Sequence, residues 1–111
     1  MVVVAQDSNL RLEKLDLSGM VVANAYLLVC QRSGEGVLVD APGDARGIME
    51  QSRGTSIRYI LITHSHFDHV GALEQLRAEL KAPVAAHPLD GPNLPSPPDI
   101  TLEDGDTISF G

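Results

Sequence analysis

Residues 57–62, Ile-Arg-Tyr-Ile-Leu-Ile, run straight into a polar segment, Thr63-His64-Ser65-His66-Phe67-Asp68-His69, and then into a helical pattern. The apolar run is β-branched and nearly continuous, the composition of a strand covered on both faces. After the polar segment, Val70, Leu73, Leu76 and Leu80 fall on one stripe of a helix. Lys81 sits in its last turn and Pro83 marks its end. Residues 83–87 read as a short strand. Upstream, Val37-Leu38-Val39 reads as a strand, broken by Asp40-Ala41-Pro42-Gly43. Asp44 then fits the N-cap of a helix of about ten residues that ends near Gly54. Strand, helix, strand, helix, strand between Val37 and His87 predicts an α/β layer.

The first forty residues read as strands. Leu12, Leu15 and Leu17 alternate loosely, and Ser18-Gly19 offers a turn. Residues 21–30 suit a central strand, Ser33-Gly34-Glu35-Gly36 carries a hairpin signal, and residues 37–39 return as the partner. Five of the seven prolines lie in residues 88–98, which predicts an irregular surface segment. Residues 107–110 have the look of one more strand.

At 111 residues the chain is the size of one small domain, and its net charge of -7 argues against a nucleic-acid surface. Cys30 is the only cysteine, so no intrachain disulfide can form, and its place in an apolar run predicts a core position. The N-terminus has no basic region, and no apolar stretch reaches the length of a transmembrane helix. These features predict a soluble, cytoplasmic protein with neither nucleic-acid nor membrane partners.

Three of the four histidines fall between His64 and His69, between a buried strand and a helix. Open α/β sheets place their ligands at such strand ends. Imidazole and carboxylate suit Zn, Fe and Mn. In an extended turn His64 and His66 share a face, whereas Asp68 and His69 follow after the chain turns and aim at a second point. One short loop can thus hold halves of two metal sites, the arrangement that clamps an attacking hydroxide. A solvated loop with Asp68 capping the helix is the alternative, and the clustering of three histidines counts against it.

His64-x-His66-x-Asp68-His69 after an Ile/Leu strand, with Val70-Gly71 opening a helix, resembles the signature loop of the metallo-β-lactamase superfamily. Asn24-x-Tyr26-Leu27 and Leu38-Val39-Asp40-Ala41-Pro42-Gly43 resemble two further family segments. Residues 107–111 resemble the strand before the family's next motif. The resemblance implies two divalent metal ions, zinc first, with iron or manganese as options. His64 and His66 would hold one, and Asp68 and His69 the other. Asp68 would also act as the catalytic proton acceptor or donor. Asp40 would orient a ligand imidazole, with a plain strand-end turn residue as the equal alternative. Gly71 would let the helix start close to the loop. Asn24 and Tyr26 read as structural, and His87 as a surface histidine.

The family's remaining ligands, a histidine in a Pro-Gly-His segment, a bridging aspartate and a last histidine, have no match up to Gly111. The fold implied is therefore an α/β one, the N-terminal half of an αββα sandwich with a mostly antiparallel or mixed sheet. Residues 1–111 would form a partial domain whose second sheet face stays wet unless self-association or a missing C-terminal half covers it. The activity implied is metal-dependent hydrolysis of an ester, thioester or amide in a small-molecule substrate. Ala86-His87-Pro88 and the compact motif spacing resemble the hydroxyacylglutathione-hydrolase branch. A β-lactamase proper fits less well, since no signal peptide is visible. An oxygen-using iron enzyme is an alternative on the same fold. From another class, the alternative is a non-catalytic metal-binding or assembly fragment that pairs with another chain.

Overall fold

The computed structural model describes residues 2–19, 23–63 and 70–111. Within them seven strands form one sheet in chain order. β1 (Val2–Gln6), β2 (Leu10–Lys14), β3 (Tyr26–Cys30) and β4 (Glu35–Val39) pair antiparallel. From β4 the sheet continues in parallel through β5 (Ser56–Ile62), β6 (Val84–Ala86) and β7 (Ile100–Thr101). Parallel neighbours need crossovers. Helix α1 (Ala45–Gln51) makes the first and α2 (Leu73–Leu80) the second. The third is the proline-dense segment, where a single 3-10 turn, Gly91–Asn93, is the one regular piece described.

Both helices cover the same face. Strand alternation aims Leu27, Val29, Leu38, Ile60, Ile62, Val84 and Ala86 at that side, where they meet Ile48 of α1 and Leu73 and Leu76 of α2 in one buried cluster. Ile57 joins the cluster although it is two residues from Tyr59, because the β4–β5 register shifts between Gly36 and Val37. The expected hairpin joins β3 to β4, with Gly34 at φ +77 and the Ser33 hydroxyl accepting from Glu35 N at 3.1 Å.

Some boundaries differ from the sequence pattern. Asp44 does cap α1, accepting from Gly47 N at 3.2 Å, but the helix has seven residues rather than about ten. Ser52 closes it early: its N–H turns to Ile48 O and Glu50 O, and its hydroxyl donates to Met49 O. α2 ends on Lys81 in the left-handed region at φ 53, a place glycine usually takes. β3 starts at Tyr26, so residues 23–25 are not strand, and Val21 and Val22 lie outside the described residues.

The other face carries Tyr26, Leu28, Val37, Val39, Tyr59, Leu61 and Ala85. Residues 107–110 form no strand; instead, the last ten residues strap this face. They leave β7 at Thr101, at the carboxyl ends of the parallel strands, and finish at the opposite end, where Gly111 N donates to Glu35 Oε1 at 2.8 Å. Gly111 lies so close to Cys30 that a Cβ on it would stand 2.5 Å from Sγ. Cys30 shares its face with Leu28, so the segment crosses on that side. Ile108 and Phe110 are half-buried along it, and Val37 and Ala85 are buried without belonging to the helix-side cluster. The expectation of a wet face holds only toward β1 and β2, where Val2 and Leu10, in register with Tyr26 and Cys30, are exposed. Cys30 is half-exposed, not core, and the Ser33 hydroxyl with the Ser33 and Arg32 N–H groups holds its thiol below the usual range.

Candidate metal centre

The parallel register brings the carboxyl ends of β4, β5 and β6 together: Val39 pairs with Leu61, and Ile62 with Ala86. Asp40 follows Val39 and stays on the ladder, its N–H donating to Leu61 O at 2.8 Å. Its backbone then turns at φ 66, a conformation that Asp tolerates better than most residues. The buried carboxylate turns back across to β5. There Oδ1 accepts from Thr63 N at 2.8 Å and Oδ2 from the Thr63 hydroxyl at 2.6 Å.

Ala41, also buried, does the complementary task. Its carbonyl accepts from Ala72 N at 2.8 Å, one residue before α2 begins. Thr63 and Ala72 flank the histidine segment. Two consecutive residues at the end of β4 thus grip both flanks, one through a carboxylate and one through a backbone carbonyl. Val70 is buried in the helix-side cluster and fixes the distal flank further.

Asp44 links a third piece of chain to this end of the sheet. Besides capping α1 it accepts from Ser18 N at 2.8 Å, and Ser18's N–H and hydroxyl are the main reason its carboxyl sits below the ordinary 3.8. Loop 15–18 is thereby held against the start of α1.

His64, His66, Asp68 and His69 lie outside the described residues. Among the described residues no group of three or more His, Cys, Asp or Glu side chains could hold an ion. Of the secondary candidates, Asp40 is brought to the flank of the segment as just given. His87 leaves β6 at the same sheet edge, and its Nδ1 accepts from Leu89 N at 3.1 Å. Gly71 is exposed in the turn before α2, Tyr26 is half-buried at the start of β3, and Asn24 is exposed. Thr63 and Ala41 were missed as supporting residues. Thr63 could have been found as the hydroxyl just before the cluster; Ala41 acts through its backbone and leaves no side-chain signal.

The flanks of the histidine segment are thus held at the carboxyl end of the parallel strands of an α/β layer, the edge where open sheets commonly place ligands. Residues 18–108 match the Metallo-beta-lactamase superfamily, and the chain belongs to it. A hydroxyacylglutathione hydrolase of Cereibacter sphaeroides is 39% identical over 89 residues, 78% of this chain and 34% of that protein. Among solved structures, BLEG-1 B3 metallo-beta-lactamase superposes with a TM-score of 0.79 at 26% identity, over 90% of this chain and 56% of that one. TTHA1623, solved in a di-iron-bound form, gives a TM-score of 0.69 at 32% identity, over 85% of this chain and 56% of that one. The chain thus spans about a third of the length of the hydroxyacylglutathione hydrolases it matches (34%). Its family is an enzymatic one, and its fold is the mixed α/β sheet-and-helix layer of that family.

Proposed function

We propose that this chain carries the metal-binding layer of a metal-dependent hydrolase acting on ester or thioester bonds of a small molecule. The observation that carries the reading is the double grip at the end of β4: Asp40 on Thr63 and Ala41 on Ala72. A metal-binding loop needs its ligands pre-oriented, and backbone anchors at both flanks limit where four side chains between them can go. The donor set His64, His66, Asp68 and His69 suits two divalent ions, zinc by preference, with iron or manganese accepted by the same groups. When bound, such ions supply a water acidic enough to ionise near neutral pH and positive charge for a developing oxyanion.

This chain's own residues supply the rest. Asp68, as ligand and carboxylate, is the group to take or return a proton. Asp40 is a positioning residue, holding Thr63 at the end of β5, directly before the histidine segment. Hydroxyacylglutathione hydrolase is the name of the relative quoted above, and a thioester substrate for this protein rests on that likeness. The two-thirds of such relatives that this chain does not match would supply the remaining ligands, or a second copy of this chain would cover the open sheet face.

The competing reading, a non-catalytic metal-binding or assembly fragment, draws on the exposed apolar side chains of β1 and β2. Metal analysis of the purified chain, with thioester and phosphodiester assays and His66→Ala as control, separates the two. Zinc retention with thioester turnover lost in His66→Ala supports the hydrolase. Metal without turnover favours the binding fragment, and neither metal nor turnover rejects the hydrolase for this chain. No helix among the described residues is long and apolar enough to cross a membrane. A cytoplasmic location belongs to the same proposal.

A further inference from the structure

The proline-dense crossover forms an open cavity of about 400 Å³, lined in part by Pro88, Pro92, Leu94, Pro95, Pro98 and Thr101. Among the described residues that line it, none carries a charge, in a protein whose net charge is -7. Its size lies in the range of small-molecule sites, and its lining is what such sites use for apolar groups. The groove between α1 and α2 is larger but is lined by Arg46, Glu50, Arg53 and Glu79, which suits no single ligand class.

Position separates this cavity from an accidental gap. Ile62 of β5 pairs with Ala86 of β6, and Ala86 pairs with Thr101 of β7. Thr63 therefore leaves β5 toward the histidine segment at the same edge where His87 and Pro88 leave β6. Adjacent strands lie about 4.8 Å apart. The cavity thus begins one strand from the flank of the proposed metal loop, on the side away from β4.

The walls are also fixed before any ligand arrives. The near wall is a turn in which Asp90 N and Gly91 N both donate to His87 O, at 2.9 and 3.1 Å. Gly91 abuts the far wall, since a Cβ there would reach 3.3 Å from Pro98 Cγ. That far wall is tied to α2 through Arg77, which donates to the Ser96 hydroxyl at 2.6 Å, Pro97 O at 2.8 Å and Asp99 Oδ2 at 2.9 Å. The Ser96 hydroxyl in turn donates to Glu74 at 2.6 Å, so it is engaged with α2. Proline rings with locked φ lose little further freedom on binding, which favours recognition by shape.

We propose that this cavity is the subsite that seats the apolar acyl group of the substrate, beside the loop where its carbonyl carbon is attacked. The proposal rests on the hydrolase reading and names its substrate class: acyl groups of several carbons rather than acetyl, held by burial and not by hydrogen bonds.

Hexanamide and acetamide, titrated into the full chain and followed through amide NMR shifts, test it without metal or turnover. Hexanamide is expected to saturate with changes confined to Leu89, Gly91, Leu94, Ser96 and Thr101. Its affinity is expected to exceed that of acetamide by at least about tenfold, since several extra methylenes leave water. Thr101→Trp, a filling change at an exposed edge-strand position, should abolish the response. Non-saturating or scattered shifts, no tenfold gap, or full binding retained in a folded Thr101→Trp each overturn the proposal. The length comparison stands even if that variant does not fold. Hydrolysis of hexanoyl and acetyl thioesters by the zinc-loaded chain is the second arm. Turnover without hexanoyl preference overturns the subsite. Saturable hexanamide binding without turnover upholds it and counts against the hydrolase reading instead.

Discussion

Asp40 combines three properties that rarely coincide in a turn aspartate: burial, a left-handed backbone, and both oxygens turned to a neighbouring strand. Its removal leaves the donors of Thr63 without that carboxylate. Asp40→Ala should therefore lower stability by about 1–3 kcal/mol, read as a shift in the urea midpoint. Zinc affinity should fall by about 10–100-fold in the same variant, measured by competition with a chelator. Asp40→Asn keeps an acceptor for the Thr63 N–H and tolerates the positive φ, so it should recover much of both. Equal losses in the two variants would show that the charge itself is what matters.

Two other aspartates contribute to the acid sensitivity of the fold. Ser18's N–H and hydroxyl hold Asp44 below the ordinary 3.8, and Val84's N–H, with Arg77, does the same for Asp99. Each carboxyl binds its proton less readily folded than unfolded. Their stabilisation is thus fully present above the ordinary value of 3.8 and is lost as pH falls through the lower folded values. Urea midpoints recorded from pH 6 down to pH 2.5 should drop steeply below about pH 4. A shallower drop is expected for Asp44→Asn, and an unchanged slope would contradict this assignment.

At the scale of elements, β4 shows how far pattern carries and where it stops. Its apolar residues and the Ser33-Gly34 turn were legible, because alternation and a positive-φ glycine are local signals. Gly36 looked like part of the same turn signal, yet it sits inside the strand. A Cβ there would stand 2.7 Å from Leu28 O of the paired strand and 2.6 Å from Thr55 Cγ2. A backbone oxygen in the β3–β4 ladder cannot step aside without opening the pair. Gly36→Ala should therefore destabilise by about 1–3 kcal/mol, in the range of an overpacked core. Gly34→Ala should act through backbone strain alone, since nothing lies within 4 Å of its Cβ position. Thermal melts of the two variants distinguish steric from conformational loss: shifting the neighbours relieves only the first.

For the whole molecule, the asymmetry between faces matters most. The helix side is closed by α1 and α2. The other is closed only where residues 102–111 cross it, and a cavity of about 250 Å³ lined by Ala5, Leu10, Leu12 and Leu28 stays open under β1. Exposed apolar surface of this kind drives association. Sedimentation velocity should show the chain self-associating as concentration rises, and Leu10→Lys should shift it toward monomer. A monodisperse monomer with a cooperative melt would remove the need for any covering partner.

The sequence by itself determined the element order from β3 to β6, the helix faces that become buried, and the residue types offered to a metal. Each follows from periodicity or side-chain chemistry within a short stretch. Only the tertiary structure decided that residues 107–110 form part of a strap and not a strand. It alone showed that α1 stops at Ser52, and that Asp40 and Ala41 grip the two flanks of the histidine segment. Those outcomes depend on backbone carbonyls and N–H groups meeting across distant parts of the chain. Such groups are the same in every residue, so no spelling of the sequence announces them.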